Sequence, residues 1–109
     1  MPTDVKLERP RTFDVGFFRA LCEPVRLQLL TKLVQLGRAD VATISEGFGQ
    51  DRSVISRHLQ ILRDTGVVTA SREGRHVFYE LDGRALADKL QSMSEEVRAL
   101  SPLCCPSRG

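Results

Sequence analysis

The stretch from Asp51 to Leu62 combines side chains that form hydrogen bonds with side chains that pack in a core. Drawn as a helix, it places Ile55, Leu59 and Leu62 on one stripe and a polar set opposite, namely Ser53, Ser56, Arg57 and Gln60. Serine hydroxyls bond to phosphates and base edges, and arginine can make two parallel hydrogen bonds to guanine or phosphate. We therefore predict a helix that reads DNA, with an ordinary surface helix as the alternative.

The residues before this stretch can position it. Asp40 is a suitable N-cap for a helix over Val41–Phe48, and Gly49-Gln50 then turns the chain directly into Asp51, a second N-cap. A short helix, a glycine-containing turn and a second helix form a helix-turn-helix, a common scaffold for placing one helix in a groove of DNA.

The residues after this stretch predict a β-hairpin. Gly66 ends the helix, and the β-prone runs Val67–Arg72 and His76–Leu81 flank the turn residues Glu73-Gly74-Arg75. A hairpin after a helix-turn-helix is a wing, and we expect Arg75 at its tip to contact phosphate or the minor groove.

Three further helices are predicted around this unit. The first, capped by Thr12 or Asp14, carries two phenylalanines, and the second runs from Glu23-Pro24 to Gly37 and is expected to be the most buried element. The last covers Ala85–Leu100, and it repeats apolar residues at heptad-like spacing: Leu86, Leu90, Met93, Val97 and Leu100. Such spacing requires a neighbouring helix.

Length and composition favour a single compact domain. The chain has 109 residues, 41% of them hydrophobic, and a net charge of +2, which permits nucleic-acid binding without indicating it. We expect a flexible arm over 1–11, one domain over 12–100 and a cysteine-containing loop over 101–109. The start lacks the apolar segment of a signal peptide and no run is long enough to cross a bilayer, so we expect a cytoplasmic protein with no membrane partner.

The motifs CEPVRLQLL, SVISRHLQILRDTGVV and REGRHVFYEL, in this order of elements, resemble the ArsR/SmtB family of metal- and metalloid-responsive repressors over about Phe17 to Leu100. The resemblance implies a mainly α fold with a β-hairpin, a winged helix-turn-helix. It further implies a homodimer through the first and last helices, which binds an imperfect palindrome in double-stranded promoter DNA until an inducer binds. The expected DNA-contacting residues are Arg52, Ser53, Ser56, Arg57, His58, Gln60, Arg72, Arg75 and His76.

Two metal sites of that family are missing here. Where many members carry a cysteine box, this chain has Asp40 and Ala42, neither of which is a thiol. The positions that match the ligands on the last helix are Gly83, Ala85, Glu96 and Ala99, of which only Glu96 could bind a metal. The two histidines, His58 and His76, are assigned to DNA contacts or structural hydrogen bonds rather than to a metal.

The chain's three cysteines remain as candidate sensors. Cys22 follows the first helix and Cys104-Cys105 follow the last, so the thiols could meet near the dimer interface, within one subunit or across two. Three thiolates suit As(III) or Sb(III) better than a closed zinc site, and we predict such an inducer and no organic cofactor. For Cys22 the alternative is a simple core residue. A redox or reactive-sulfur switch through the same thiols is the alternative function.

Two other classes of function are disfavoured. A thiol enzyme would need a CxxC motif, a base beside a cysteine or a cofactor loop, and the sequence has none of these, so no enzyme is predicted. An architectural DNA protein without an effector would depend on many phosphate contacts, which the small net charge does not favour.

Overall fold

A computed structural model describes residues 14–104, with side chains for residues 14–99. In that part of the chain the helices and strands are α1 (Val15–Leu21), α2 (Pro24–Leu36), β1 (Ala39–Asp40), α3 (Val41–Ser45), α4 (Arg52–Asp64), β2 (Val68–Glu73), β3 (His76–Leu81) and α5 (Gly83–Cys104). This order confirms a mainly helical winged helix-turn-helix. The expected arm over 1–11 and the end of the tail, 105–109, lie outside the described residues.

The first two helices start and end at the predicted residues. Asp14 caps α1 by accepting a hydrogen bond from the Phe17 amide at 3.2 Å, and the Glu23 carboxylate accepts one from Val25 at 3.2 Å. Pro24 then occupies the first turn of α2, where its missing N–H costs nothing. Gly37 ends α2 with φ of 76°, a conformation that favours glycine.

Strand β1 was not predicted. Ala39 and Asp40 pair antiparallel with Tyr79 and Phe78, so β3 becomes the central strand of a three-stranded sheet in the order β1-β3-β2. The hairpin pairs Val68 with Leu81 and continues to Glu73 opposite His76. Only Gly74 and Arg75 therefore remain in the turn, and the wing is anchored at its base to the segment that leads into α3.

The core lies where α2, α3, α4 and the sheet meet, and α1 and α5 add Phe17, Ala20 and Met93 to it. It contains no buried polar residue among the described side chains, and its members are Phe17, Ala20, Leu29, Leu30, Leu33, Ala39, Ile44, Ile55, Leu59, Leu62, Val67, Val68, Tyr79 and Met93. Each fully buried large aliphatic side chain contributes about 1.5–3 kcal/mol. The predicted apolar stripe of α4, Ile55, Leu59 and Leu62, is fully buried in this core.

Three predicted boundaries or faces were wrong. Helix α2, expected to be the most buried element, buries only Leu29, Leu30 and Leu33, no more residues than α4 buries, and it leaves Val34 and Leu36 66% and 39% exposed. Helix α3 stops at Ser45 rather than Phe48, since Gly47 adopts φ of 89° and turns the chain. Helix α5 begins at Gly83, capped by Asp82, and continues to Cys104, so residues 101–104 are helical instead of loop. Pro102 removes one helical hydrogen bond without ending the helix.

Helices α1 and α5 meet near Asp14 and Phe17. Lys89 lies 3.8 Å from the Asp14 carboxylate and 5.3 Å from the centre of the Phe17 ring, and Met93 is 9% exposed. Phe17 and Met93, expected at a subunit interface, therefore belong to the chain's own core. Apolar side chains on the same two helices remain exposed, namely Val15, Phe18, Leu90 and Val97. Within the described chain, no helix has the length and apolar character needed to cross a bilayer.

Candidate nucleic-acid interface

Helix α4 presents the predicted polar face to solvent. Ser53, Arg57 and Gln60 are exposed and Ser56 is half-buried, whereas Ile55, Leu59 and Leu62 on the other side have no exposed surface. Asp51 holds the N-cap position through its backbone carbonyl, which accepts from Val54 and Ile55, but its side chain forms no capping bond. The helix is therefore fixed by its apolar side, and the polar side is available to a ligand.

The segment before α4 is held by Asp40. Its carboxylate accepts a hydrogen bond from the Thr43 amide at 3.0 Å and so caps α3, as predicted. Hydrogen bonds from the Thr43 side chain and backbone, with His76 nearby, hold the pKa of the Asp40 carboxyl below its usual value. The charged cap stays ionised at neutral pH and keeps α3 packed against α4 through Ile44, which is fully buried.

The wing is braced on the sheet face that points away from α4. Arg38 donates to Glu73 at 2.6 Å and to Ser71 at 3.2 Å, and its guanidinium lies 4.2 Å from the centre of the Phe78 ring. These contacts fix the hairpin relative to β1. Arg38 was not identified from the sequence, because the pairing of β1 with β3 that places it there was not predicted.

A concave surface separates α4 from the wing. It is lined by Gln60 and Arg63 from the helix and by Arg72 from β2, with Ala70, Val77 and Tyr79 behind them. Both guanidiniums are exposed, so the concavity is suited to an anionic group such as a backbone phosphate. Arg63 was missed because the polar set was drawn only from Asp51 to Leu62, although the helix was expected to continue to Gly66. Its spacing of three after Gln60 and seven after Ser56 places it on the polar side of α4.

A second concave surface lies at the other end of α4. Arg52 from the first turn of the helix and Arg75 from the tip of the wing line it together with Asp40 and His76. The His76 ring nitrogen is 3.6 Å from the Asp40 carboxylate, and its side chain is 66% exposed. The expected DNA-contacting residues Arg52, Arg75 and His76 are thus brought together, beside one carboxylate.

His58 differs from the other expected DNA-contacting residues. It is half-buried, and its Nδ1 lies 3.1 Å from a guanidinium nitrogen of Arg26 on α2. It lies between the apolar and polar sides of α4, so its ring reaches α2 rather than the exposed face. His58 therefore makes the structural hydrogen bond that the sequence offered as the alternative to a DNA contact.

The thiols are only partly described. Cys22 is a free, exposed residue at the C-cap of α1, so it is not a core residue. Cys104 is the last residue of α5, with its side chain outside the described part, and Cys105 lies outside it altogether. Among the described side chains, no group of three histidine, cysteine or acidic residues is placed to hold a metal ion.

The sequence and the fold match known regulators. Residues 23–70 match the family model described as bacterial regulatory protein, arsR family. The chain is 32% identical over 104 residues to the arsenical resistance operon repressor of Bacillus subtilis, covering 94% of this chain and 88% of that protein. It is also 38% identical over 63 residues to the regulator NmtR of Mycobacterium tuberculosis, covering 58% of this chain and 52% of NmtR.

A solved structure shares the fold. The solution structure of a homodimeric winged helix-turn-helix DNA-binding domain from Mycobacterium bovis covers 79% of this chain and 78% of its own, with 31% identity and a TM-score of 0.61. The chain spans about half to two thirds of the length of several mycobacterial relatives, 52% and 65% among them. These relatives are transcriptional regulators rather than enzymes. The chain belongs to the ArsR family of bacterial regulatory proteins and has the winged helix-turn-helix fold of its transcriptional regulators.

Proposed function

We propose that the protein is a DNA-binding transcriptional repressor that places α4 in the major groove of its operator. The observation that carries this proposal is the exposed polar face of α4, which is flanked on both sides by arginines shared between helix and wing. A rigid helix with a free polar face reads base edges, while flanking guanidiniums hold the backbone. Such a regulator acts in the cytoplasm, where its DNA lies.

The contacts divide into two kinds. Ser53, Arg57 and Gln60 lie on the outward face of α4 and are proposed to contact base edges, with Ser56 at the margin of that face. Phosphate contacts are proposed for the residues that line the two concave surfaces, Arg52, Arg63, Arg72, Arg75 and His76. Base contacts set sequence preference, and phosphate contacts set overall affinity and its dependence on salt.

We propose a homodimer formed through α1 and α5. Val15 on α1 and Leu90 on α5 are 59% and 49% exposed, and Leu90 follows the stripe of Leu86 and Met93 that enters the core. A second copy of the chain would cover this surface and present two copies of α4 to a palindrome. The homodimeric state of the Mycobacterium bovis domain supports this arrangement.

The proposed inducer is a thiophilic metalloid, As(III) or Sb(III), held by the thiolates of Cys22, Cys104 and Cys105. The free and exposed thiol of Cys22 supports the proposal, as does the Bacillus subtilis relative, a repressor of an arsenical resistance operon. Sulfur donors suit these soft ions. An ion that binds the DNA-incompetent form more tightly than the DNA-binding form releases the protein from DNA. The coupling free energy between two such sites is typically about 1–3 kcal/mol.

Fluorescence anisotropy on a labelled duplex from the protein's own promoter tests both parts. Reduced protein should bind this duplex more tightly than a scrambled one, and arsenite or antimonite should release it while zinc does not. Cys22→Ser and the double variant Cys104→Ser, Cys105→Ser should retain binding and lose release. Full arsenite release after truncation at Leu103 would contradict the thiol site. Release by a persulfide donor or an oxidant, but not by arsenite, would replace it with the redox alternative.

A further inference from the structure

Arg26 connects three helices through one side chain. It lies half-buried in the first turn of α2, and its Nε donates to the Ala20 carbonyl at 2.5 Å while one terminal nitrogen donates to the Arg19 carbonyl at 3.2 Å. The other terminal nitrogen lies 3.1 Å from Nδ1 of His58 on α4. The guanidinium thus joins the end of α1 to the middle of α4.

The chemistry of the pair determines the state of the histidine. A guanidinium has only donors and stays charged, so the hydrogen bond requires a lone pair on Nδ1 of His58. Nδ1 of His58 must therefore be the acceptor in this contact and carry no proton. A protonated ring, or the other neutral form, would place an N–H against the guanidinium and break the contact.

The other end of this connection is the C-terminus of α1. The last carbonyls of a helix lack partners within it, and Arg26 supplies donors to two of them. The Arg19 carbonyl also accepts from the backbone amide of Cys22, the C-cap residue. A movement of the Cys22 end of α1 must therefore change the acceptors that hold Arg26 in place.

The chain is tightly packed at both ends of the Arg26 connection. Ala20 is 2% exposed and Leu59, next to His58, has no exposed surface. Packed side chains of this kind shift together rather than yield individually. The guanidinium also holds its donors in one plane, so it cannot keep all three partners if one helix rotates.

We infer that Arg26 is a positioning residue that sets the orientation of α4 relative to α1, acting through His58. The inference rests on the proposed function, because α4 is the helix assigned to DNA. Displacement of α1, whether from the dimer interface or from the thiol at its end, reaches α4 through this side chain. His58 is therefore the residue of α4 at which a displacement of α1 would be felt.

The test on the free protein needs no DNA. The ¹⁵N shifts of the His58 ring should show an unprotonated Nδ1 in the native protein, and Arg26→Gln should change them. Arg26→Gln and His58→Phe should accelerate amide exchange in α4 to the same extent, and the double variant should exchange no faster than either. Arg19→Gln, which removes a charge from the end of α1 but leaves its carbonyl, is the matched control and should exchange like the native protein.

The test on DNA is a double-mutant cycle. Arg26→Gln and His58→Phe should each lower operator affinity by about three- to tenfold, and the double variant should lose no more than one single variant, as expected for residues that act as a pair. Arg26→Lys keeps the charge without the planar fork; it should behave like Arg26→Gln, and it replaces that variant if glutamine prevents folding.

Several results would overturn the inference. One is a proton on Nδ1 of His58 in the native protein. Another is a double variant whose loss of operator affinity equals the product of the two single losses. A third is unchanged operator affinity in both single variants. If the native protein does not distinguish its operator from random DNA, the proposed function fails, and the ring shifts and amide exchange still decide whether Arg26 couples α1 to α4.

Discussion

Replacing Arg38 by glutamine tests whether the wing depends on a brace that lies away from the DNA-facing side. Arg38 holds Glu73 at 2.6 Å and Ser71 at 3.2 Å and lies 4.2 Å from the centre of the Phe78 ring. Glutamine is too short to reach all three partners and has no charge to place over the ring.

The expected loss follows from the exposure of the partners. The Arg38 and Glu73 side chains are 37% and 63% exposed, so their ion pair is screened and contributes about 0.2–1 kcal/mol. A partly exposed cation over an aromatic ring adds about 0.5–1 kcal/mol. We expect Arg38→Gln to reduce the free energy of unfolding by about 0.7–2 kcal/mol, and each kcal/mol lowers the melting temperature by roughly 4–8 °C.

Thermal unfolding at fixed protein concentration and two salt concentrations measures this loss, with the exposed Arg84→Gln as the control. The stability lost in Arg38→Gln should be smaller at high salt, because salt screens the ion pair between Arg38 and Glu73. Operator affinity should fall for all sequences without a change in the salt slope, because Arg38 acts on the wing and not on phosphate. A salt slope that falls by about one would show that Arg38 itself contacts DNA, and the brace would be refuted.

Three further predictions concern single residues. Arg57→Ala should reduce discrimination between operator and random duplex by about 1–3 kcal/mol; an equal loss on both duplexes would contradict its assignment to base edges. Arg75→Ala should weaken binding to all sequences and lower the salt slope by about one, and an unchanged slope would remove it from the phosphate contacts. The lowered pKa of Asp40 means that its ionised form stabilises the folded chain above the ordinary pKa of 3.8, and this contribution is lost as the pH falls through the lowered value. In urea unfolding, the difference between the native protein and Asp40→Ala should shrink in acid, and a difference that stays constant would contradict the role of charge.

Local signals in the sequence were sufficient for most of the fold. Asp14, Glu23-Pro24, Gly37 and Asp40 each fix a helix boundary through their own backbone or side chain, so the correct boundaries followed from residue types alone. The apolar stripe of α4 was also predicted, because helical spacing reports directly on burial.

Contacts between distant segments were not accessible from the sequence. The pairing of Ala39-Asp40 with β3 has only two residues and no alternating pattern, and it places Arg38 against the wing. For His58 on α4 the sequence left a DNA contact and a structural hydrogen bond open, and the structural bond is made to Arg26, which is distant in sequence. Helical spacing alone predicts which residues lie on the polar face of α4. The role of a residue at the margin of that face depends on the residues of other helices that it contacts.

Hydrogen exchange of the protein with and without its promoter duplex tests the central claim most directly. If α4 and the wing form the DNA-binding surface, peptides covering 52–64 and 68–81 should gain protection on binding, most strongly in the first turn of α4 and at the hairpin tip. The exposed faces of α1 and α5 should show no new protection, because the proposed second subunit would already cover them. Protection confined to α1 or α5, with 52–64 unchanged, would contradict the account.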